Sequence, residues 1–295
     1  MKLGDVLAYL FLAVTWGFSF LVLLEVTRAF GWVGAVTFRA FVASTTLLAV
    51  AAVTGRKLDF GAGWRPLVVV GATTVAGQLI GLSFATPRIG TATTAILVAA
   101  IPLFSMIIGK LWGIECITPR SLVGLVFGFV GIVLLVGFPA VPVTGSFVLG
   151  CVSALLGSFS AAFGSSYASR HLRAVGSWEV TIGSFLSGGL LTLPLLLAVP
   201  VPTPPRPVDY MHLLLLGSVM SALNYVLYFR LVSTIGATRT ISVEFAVTIV
   251  AVLAGALLLR EPLSAVQIIG AVIVVSGCTL VLGLVPWKAR PRARA

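Results

Sequence analysis

Apolar residues run through this chain in long unbroken stretches, not in the one-sided stripes of a soluble helix. Bounded by charge or by Pro and Gly, the runs fall near 4–24, 32–54, 65–85, 90–110, 119–138, 146–169, 177–199, 209–230, 236–258 and 263–285. About 20 apolar residues carry a helix across a hydrocarbon core of about 30 Å. The pattern therefore predicts an all-α integral membrane protein with ten transmembrane helices. Connections such as Thr86-Pro87-Arg88-Ile89 and Ser233-Thr234-Ile235 are so short that consecutive helices must be antiparallel neighbours. The longest connection, 200–207, is proline-rich and reads as extended. The first run is longer than the core of a signal peptide and lacks a small-x-small cleavage site, so it reads as a span.

Composition strengthens this picture. Hydrophobic residues make up 59% of the chain and charged residues 9%, and the mean hydropathy is +1.15. Soluble domains carry roughly 25% charged residues, so lipid is the expected solvent. The net charge of +11 does not imply nucleic acid, because the basic residues stand singly between apolar runs. Cys116, Cys151 and Cys278 are too scattered for a metal or disulfide framework and read as packing residues. No P-loop is present, and His171 and His212 sit at span ends, so neither ATP hydrolysis nor membrane-embedded catalysis is expected.

Short-loop Lys and Arg orient the bundle. With the N-terminus inside, the inner side holds Lys2, Arg56, Lys57, Arg65, Lys110, Arg120, Arg170, Arg173, Arg230, Arg239, Lys288, Arg290, Arg292 and Arg294. The outer side holds only Arg28, Arg88, Arg206 and Arg260. Both termini are thus expected in the cytoplasm, with 286–295 as a basic tail behind the interfacial Trp287.

Sliding the chain on itself by 146 residues places Ile89-Gly90 on Ile235-Gly236, Gly109 on Gly255 and Glu115 on Glu261. It also places Gly124 on Gly270, Gly131 on Gly277 and Gly137 on Gly283. The predicted organisation is one repeat at 1–140 and a second at 146–285. Five spans per repeat is an odd number, so the copies face opposite ways, a common architecture of secondary transporters. Small-residue pairs such as Gly77/Gly81, Gly109/Gly113 and Gly124/Gly128 suit close helix packing inside one chain, in keeping with a monomer.

Several segments together resemble the EamA-type branch of the drug/metabolite transporter superfamily. They are Thr15-Trp16-Gly17-Phe18-Ser19-Phe20, Phe38-Arg39-Ala40, Ile101-Pro102-Leu103-Phe104, Asn224-Tyr225-Val226-Leu227-Tyr228-Phe229-Arg230, Ile235-Gly236-Ala237-Thr238-Arg239 and Leu259-Arg260-Glu261-Pro262-Leu263-Ser264. The resemblance implies a ten-helix fold and export of amino acids, related metabolites or toxic compounds across a bacterial inner membrane. Two departures stand out. The Glu-Pro pair such families often carry in the ninth helix is replaced by Thr248, with the acid one turn earlier at Glu244. The tryptophan expected early in the sixth span is replaced by Ala161-Ala162.

Ionisable residues inside spans cost about 2.5–3.5 kcal/mol on insertion scales and are usually functional or paired. Glu244 could attract a substrate ammonium, take up a proton or pair with an arginine. Arg39 could bind a carboxylate, form a structural pair or snorkel. Gln78 and Asn224 coincide under the 146-residue shift and could line a cavity or simply bond between helices. Trp16, Tyr225 and Tyr228 could wall a side chain or face a cation. Thr94, Thr248 and Ser242 add hydroxyls, many of which bond their own helix. The expected function is a secondary, non-enzymatic transporter in the lipid bilayer, acting on a small molecule with no cofactor. The alternatives are a permease for phosphorylated or nucleotide-linked metabolites or organic cations, or a membrane scaffold.

Overall fold

A computed structural model describes residues 3–61, 63–113, 118–137, 142–235, 240–241 and 243–281. Lys2, Glu115, Cys116, Arg239, Ser242 and the tail 286–295 lie outside the described residues, as does the side chain of Cys278. Among those described, every regular element is helical. Six helices are long and apolar enough to cross a membrane: α1 (Leu3–Val53), α2 (Trp64–Ile89), α3 (Thr91–Leu111), α5 (Gly145–His171), α6 (Ser177–Leu197) and α7 (Pro207–Thr234). The others are α4 (Pro119–Gly137), α8 (Val243–Leu258) and α9 (Ala265–Val281).

The 51 residues of α1 would span about 76 Å if straight. They do not, because Gly31 adopts φ 73°, ψ 165° and breaks the helix into arms 3–30 and 32–53. That region of backbone space is essentially restricted to glycine. Each arm is long enough to cross a hydrocarbon core. Leu23 and Arg39, each eight residues from Gly31, line one cavity, which places the arms side by side. Gly90 repeats the device with φ 83°, ψ 164° between α2 and α3.

These turns correct the predicted boundaries. Residues 25–30 are helical, with Arg28 and Glu25 paired at 2.8 Å on the helix surface. The segment Thr86-Pro87-Arg88-Ile89 belongs to α2, and Gly90 alone makes the turn. One residue at positive φ suffices to reverse the chain, so no loop is needed. In α3 the helix loosens at Ala99–Ala100, ahead of Pro102, whose ring cannot donate to the preceding turn.

The exterior is strongly apolar: Leu122, Val126, Phe129 and Val133 on α4 and Ile268, Ile269 and Val272 on α9 are all exposed. The interior holds polar groups, including Arg39, Gln78, Asn224 and Glu244. This distribution suits lipid, which rewards exposed hydrocarbon and requires polar groups to be satisfied inside.

Helices α4 and α9 meet through glycines. A Cβ on Gly131 would lie 2.7 Å from the Gly270 carbonyl oxygen, and one on Gly277 would lie 2.6 Å from that of Gly124. The two contacts exchange under the 146-residue shift, so they are reciprocal in the manner of a two-fold interface. A second symmetric feature is the widened π-helical turn at Gly71–Gly77 in α2 and at Leu215–Leu223 in α7. Shifted by 146, the first falls wholly within the second. The turns end immediately before Gln78 and Asn224.

The two halves are also clasped by charge. Glu261 accepts hydrogen bonds from the Thr91 backbone N–H at 2.7 Å, the Thr91 hydroxyl at 2.9 Å and the Ala92 N–H at 2.9 Å. A carboxylate from the second half thereby caps the start of α3, where unpaired N–H groups and the helix dipole favour negative charge. Where α7 begins, Asp209 accepts from the Arg206 backbone at 2.7 Å and from its guanidinium at 3.2 and 3.3 Å. The acid again stands in a first helical turn, where negative charge is favoured.

We expect Gly31→Ala to lower the apparent melting temperature in detergent, since its Cβ would be forced into a region costing about 1–3 kcal/mol. Gly4→Ala, whose Cβ would meet nothing within 4 Å, should leave it unchanged. Equal melting temperatures for the two variants would contradict the turn assigned to Gly31.

Candidate functional site

The widened turn of α7 sets the site's geometry. Residues after a π segment are rotated relative to a regular helix, and such segments are common at functional sites. Ser221 uses the widened turn to donate to the Leu216 carbonyl five residues back, at 2.6 Å. The same hydroxyl accepts from Arg39 Nε at 2.5 Å. Trp16 donates its indole N–H to the Met220 carbonyl at 3.1 Å. Both arms of α1 are therefore tied to one turn of α7.

Just beyond that turn Tyr225 packs edge-on and Tyr228 at a tilt against Trp16, with ring centroids 5.4 and 5.5 Å from it. Phe185 of α6 packs edge-on against Tyr225 at 4.9 Å. Tyr225 donates to Gln78 Oε1 at 3.4 Å and Tyr228 to Ser165 Oγ at 3.0 Å. Glu244 reaches the same place from α8.

Two small cavities stack along the bundle at this point. The first, about 40 Å³, is lined by Trp16, Ser19, Arg39, Gln78, Tyr225 and Glu244, with Phe20, Leu23, Leu79, Leu82, Val98 and Val247. The second, about 10 Å³, is lined by Trp16, Thr74, Gln78, Ile101, Ala161, Ser165, Tyr225, Tyr228 and Glu244. Arg39 lies about 12 Å from the Gly31 turn and Thr74 about 24 Å from the Gly90 turn, at 1.5 Å per residue. The shared residues Trp16, Gln78, Tyr225 and Glu244 form the waist between them.

The charges are the informative part. Arg39 is 4% exposed and Glu244 is 8% exposed. Both line the first cavity, yet they form no ion pair with each other. Among the described residues, Ser221 is the hydrogen-bond partner of the Arg39 side chain, and no hydrogen bond or ion pair reaches the Glu244 carboxylate. Two buried ionisable groups of opposite type thus line one space without an ion-pair partner among the described residues.

Of the residues singled out in the sequence, Trp16, Arg39, Gln78, Tyr225, Tyr228 and Glu244 come together. Three do not reach the cavities. Thr94 donates to the Gly90 carbonyl at 2.7 Å, and Thr248 to those of Glu244 at 2.7 Å and Ala95 at 3.1 Å. Helical hydroxyls commonly satisfy themselves this way. Asn224 donates to Thr15 Oγ1 at 2.8 Å, so it ties α7 to α1 and does not face the space that Gln78 faces. Conversely Ser221, Ser165 and Thr74 carried no sequence signal beyond being hydroxyls in apolar runs.

Comparison with known proteins identifies the scaffold. The EamA-like transporter family matches residues 2–137 and again 148–283. The two matches start 146 residues apart, the same offset as the internal shift. The chain is 27% identical over 304 residues to Protein PecM of Dickeya dadantii, covering all of this chain and 97% of that protein. It is 29% identical over 264 residues to YedA of Escherichia coli K12, an uncharacterized inner membrane transporter, covering 86% of this chain and 82% of YedA. One solved crystal structure superposes with a TM-score of 0.68 over 96% of this chain and 98% of that one, at 16% identity, which establishes likeness of fold. The chain belongs to the EamA-like transporter family: it is a multi-pass membrane transporter built from two repeats, and not an enzyme.

Removing the Ser221 hydroxyl leaves a buried guanidinium without its partner, a loss of about 1–3 kcal/mol. Ser221→Ala should therefore melt earlier in detergent than Ser233→Ala, whose side chain is exposed. Identical melting would show that Arg39 does not depend on Ser221.

Proposed function

We propose that this member of the EamA-like transporter family is a secondary transporter that exports zwitterionic amino acids and closely related metabolites by alternating access. The carrying observation is the gap between Arg39 and Glu244. An amino acid brings a carboxylate for Arg39 and an ammonium for Glu244, and each buried charge then gains a partner it lacks. The faces of Trp16, Tyr225 and Tyr228 add a surface that favours an ammonium group.

The first cavity, at about 40 Å³, has room for a few waters but not for an amino acid. The cavity in this conformation is therefore too small for the substrate, and transport requires its walls to part. We assign ten spans, counting the two arms of α1 separately, in two inverted five-helix repeats at 1–140 and 146–285. The tail 286–295 and the N-terminus are placed in the cytoplasm of a bacterial inner membrane. The reciprocal glycine contacts and the paired π turns support that arrangement, because alternating access by inverted repeats needs two halves that exchange shapes. We take the chain to act as a monomer. Phosphorylated or nucleotide-linked substrates fit less well, since Arg39 is the one cation lining the first cavity among the described residues. Organic cations would suit Glu244 and the aromatic rings but would leave Arg39 unpaired.

The test is flux in liposomes. Purified protein should exchange labelled amino acids across the bilayer. Glu244→Gln should lower kcat/KM roughly ten- to a hundredfold, the range expected for a lost hydrogen bond to a charged group. A folded wild-type preparation that moves no amino acid would overturn the proposal. Unchanged kinetics in Glu244→Gln would remove Glu244 from the site.

A further inference from the structure

Thr74 lies in the π turn of α2, is 3% exposed and lines the second cavity. Its Oγ1 is fully buried and has no hydrogen-bond partner among the described residues. Thr73, Thr86, Thr94 and Thr248 instead donate to the carbonyl four residues back, while Thr27 Oγ1 is also unpartnered but lines neither cavity. The neighbouring Thr73 thus shows the usual option taken one residue away. A buried hydroxyl left unpaired is disfavoured, and among the unpartnered buried atoms Thr27 Oγ1, Thr74 Oγ1, Ser83 Oγ, Glu179 Oε2 and His212 Nδ1, that of Thr74 belongs to a residue lining the central cavities.

The surroundings indicate a use for that hydroxyl. The hydroxyl rests over Gly164, where a Cβ would collide with it. Beside it stand the Ser165 hydroxyl, which accepts from Tyr228, and the Gln78 amide, which accepts from Tyr225. The first cavity carries Arg39 and Ser19 with five aliphatic residues, Leu23, Leu79, Leu82, Val98 and Val247. The second adds the hydroxyls of Thr74, Ser165 and Tyr228, and the two share Gln78 and Glu244 at the waist.

We propose that the second cavity is the side-chain subsite of the transporter, and that Thr74 selects amino acids bearing a short hydroxyl or carboxamide side chain. This rests on the zwitterion reading above. With the carboxylate at Arg39 and the ammonium at the Glu244 waist, the remaining substituent on Cα is directed away from Arg39, into the second cavity. There Thr74 donates to or accepts from the side-chain oxygen, with Ser165 and Gln78 in reach as further partners. A site built to hydrogen-bond a hydroxyl discriminates strongly against an isostere lacking it.

Threonine and valine are such isosteres, and liposome flux of both tests the proposal. The wild type should show a kcat/KM for threonine about tenfold or more above that for valine. Thr74→Val should shrink this ratio about five- to tenfold, and Thr74→Ser should hold it within about twofold. Ser165→Ala should shrink it as well, which keeps the test open should Thr74→Val fail to fold. A threonine-to-valine ratio near one in the wild type, or a ratio unmoved in folded Thr74→Val, would overturn the subsite while leaving amino-acid transport standing. A wild type that carries other amino acids but neither of these would do the same. A wild type that carries no amino acid would overturn the transport reading, and this inference with it.

Discussion

Lipid offers no hydrogen bonds, so each polar group within the bilayer must find its partner inside the bundle or remain unpaired at a cost. That constraint organises this protein. It explains why chain reversals at Gly31 and Gly90 take one residue, since a longer loop would carry more unpaired backbone. It explains why Glu261 reaches across from the second half to satisfy the first N–H groups of α3. It also accounts for the Ser221 hydroxyl in the π turn of α7, which bonds the Leu216 carbonyl five residues back. Of the groups left open, three line the central cavities: the Glu244 carboxylate, the Arg39 guanidinium beyond its one serine, and the Thr74 hydroxyl.

Two-fold relatedness is written into the fold at several scales. The sequence offset, the paired family matches, the exchangeable glycine contacts of α4 and α9, and the π turns of α2 and α7 all share the same spacing. The site is where the relation fails. Gln78 faces the cavities while its counterpart Asn224 is bonded to Thr15. Glu244 stands where the first half has Val98. Symmetry suits a scaffold that must adopt two mirror-related openings, whereas a ligand without symmetry needs an uneven site.

Much of this was legible in the residues. Spans could be read from unbroken apolar runs, because lipid imposes length and hydropathy on a helix directly. The buried ionisable groups announced themselves for the same reason, so Arg39 and Glu244 were visible, and the segment Asn224–Arg230 that resembles the EamA-type family pointed to Tyr225 and Tyr228. Boundaries were less legible, because charged residues such as Glu25 and Arg28 can stay helical at the interface. Hydroxyls were the hardest to read. Thr94, Thr248 and Thr74 look alike in sequence, and only the helix geometry decides that two of them bond backward while the third does not. The π turns add to the difficulty. Each rotates the helix C-terminal to it, so a reading at 3.6 residues per turn assigns the wrong face beyond position 77 or 223.

The central claim is that Arg39 and Glu244 hold the two ends of one zwitterion. Calorimetric titration of the purified protein with a transported amino acid, its decarboxylated amine and its deaminated acid tests this most directly. The account predicts measurable binding of the amino acid and at least tenfold weaker binding of both single-charge analogues. An amine that binds as tightly as the amino acid would contradict it, and would make this a cation site in which Arg39 plays no part.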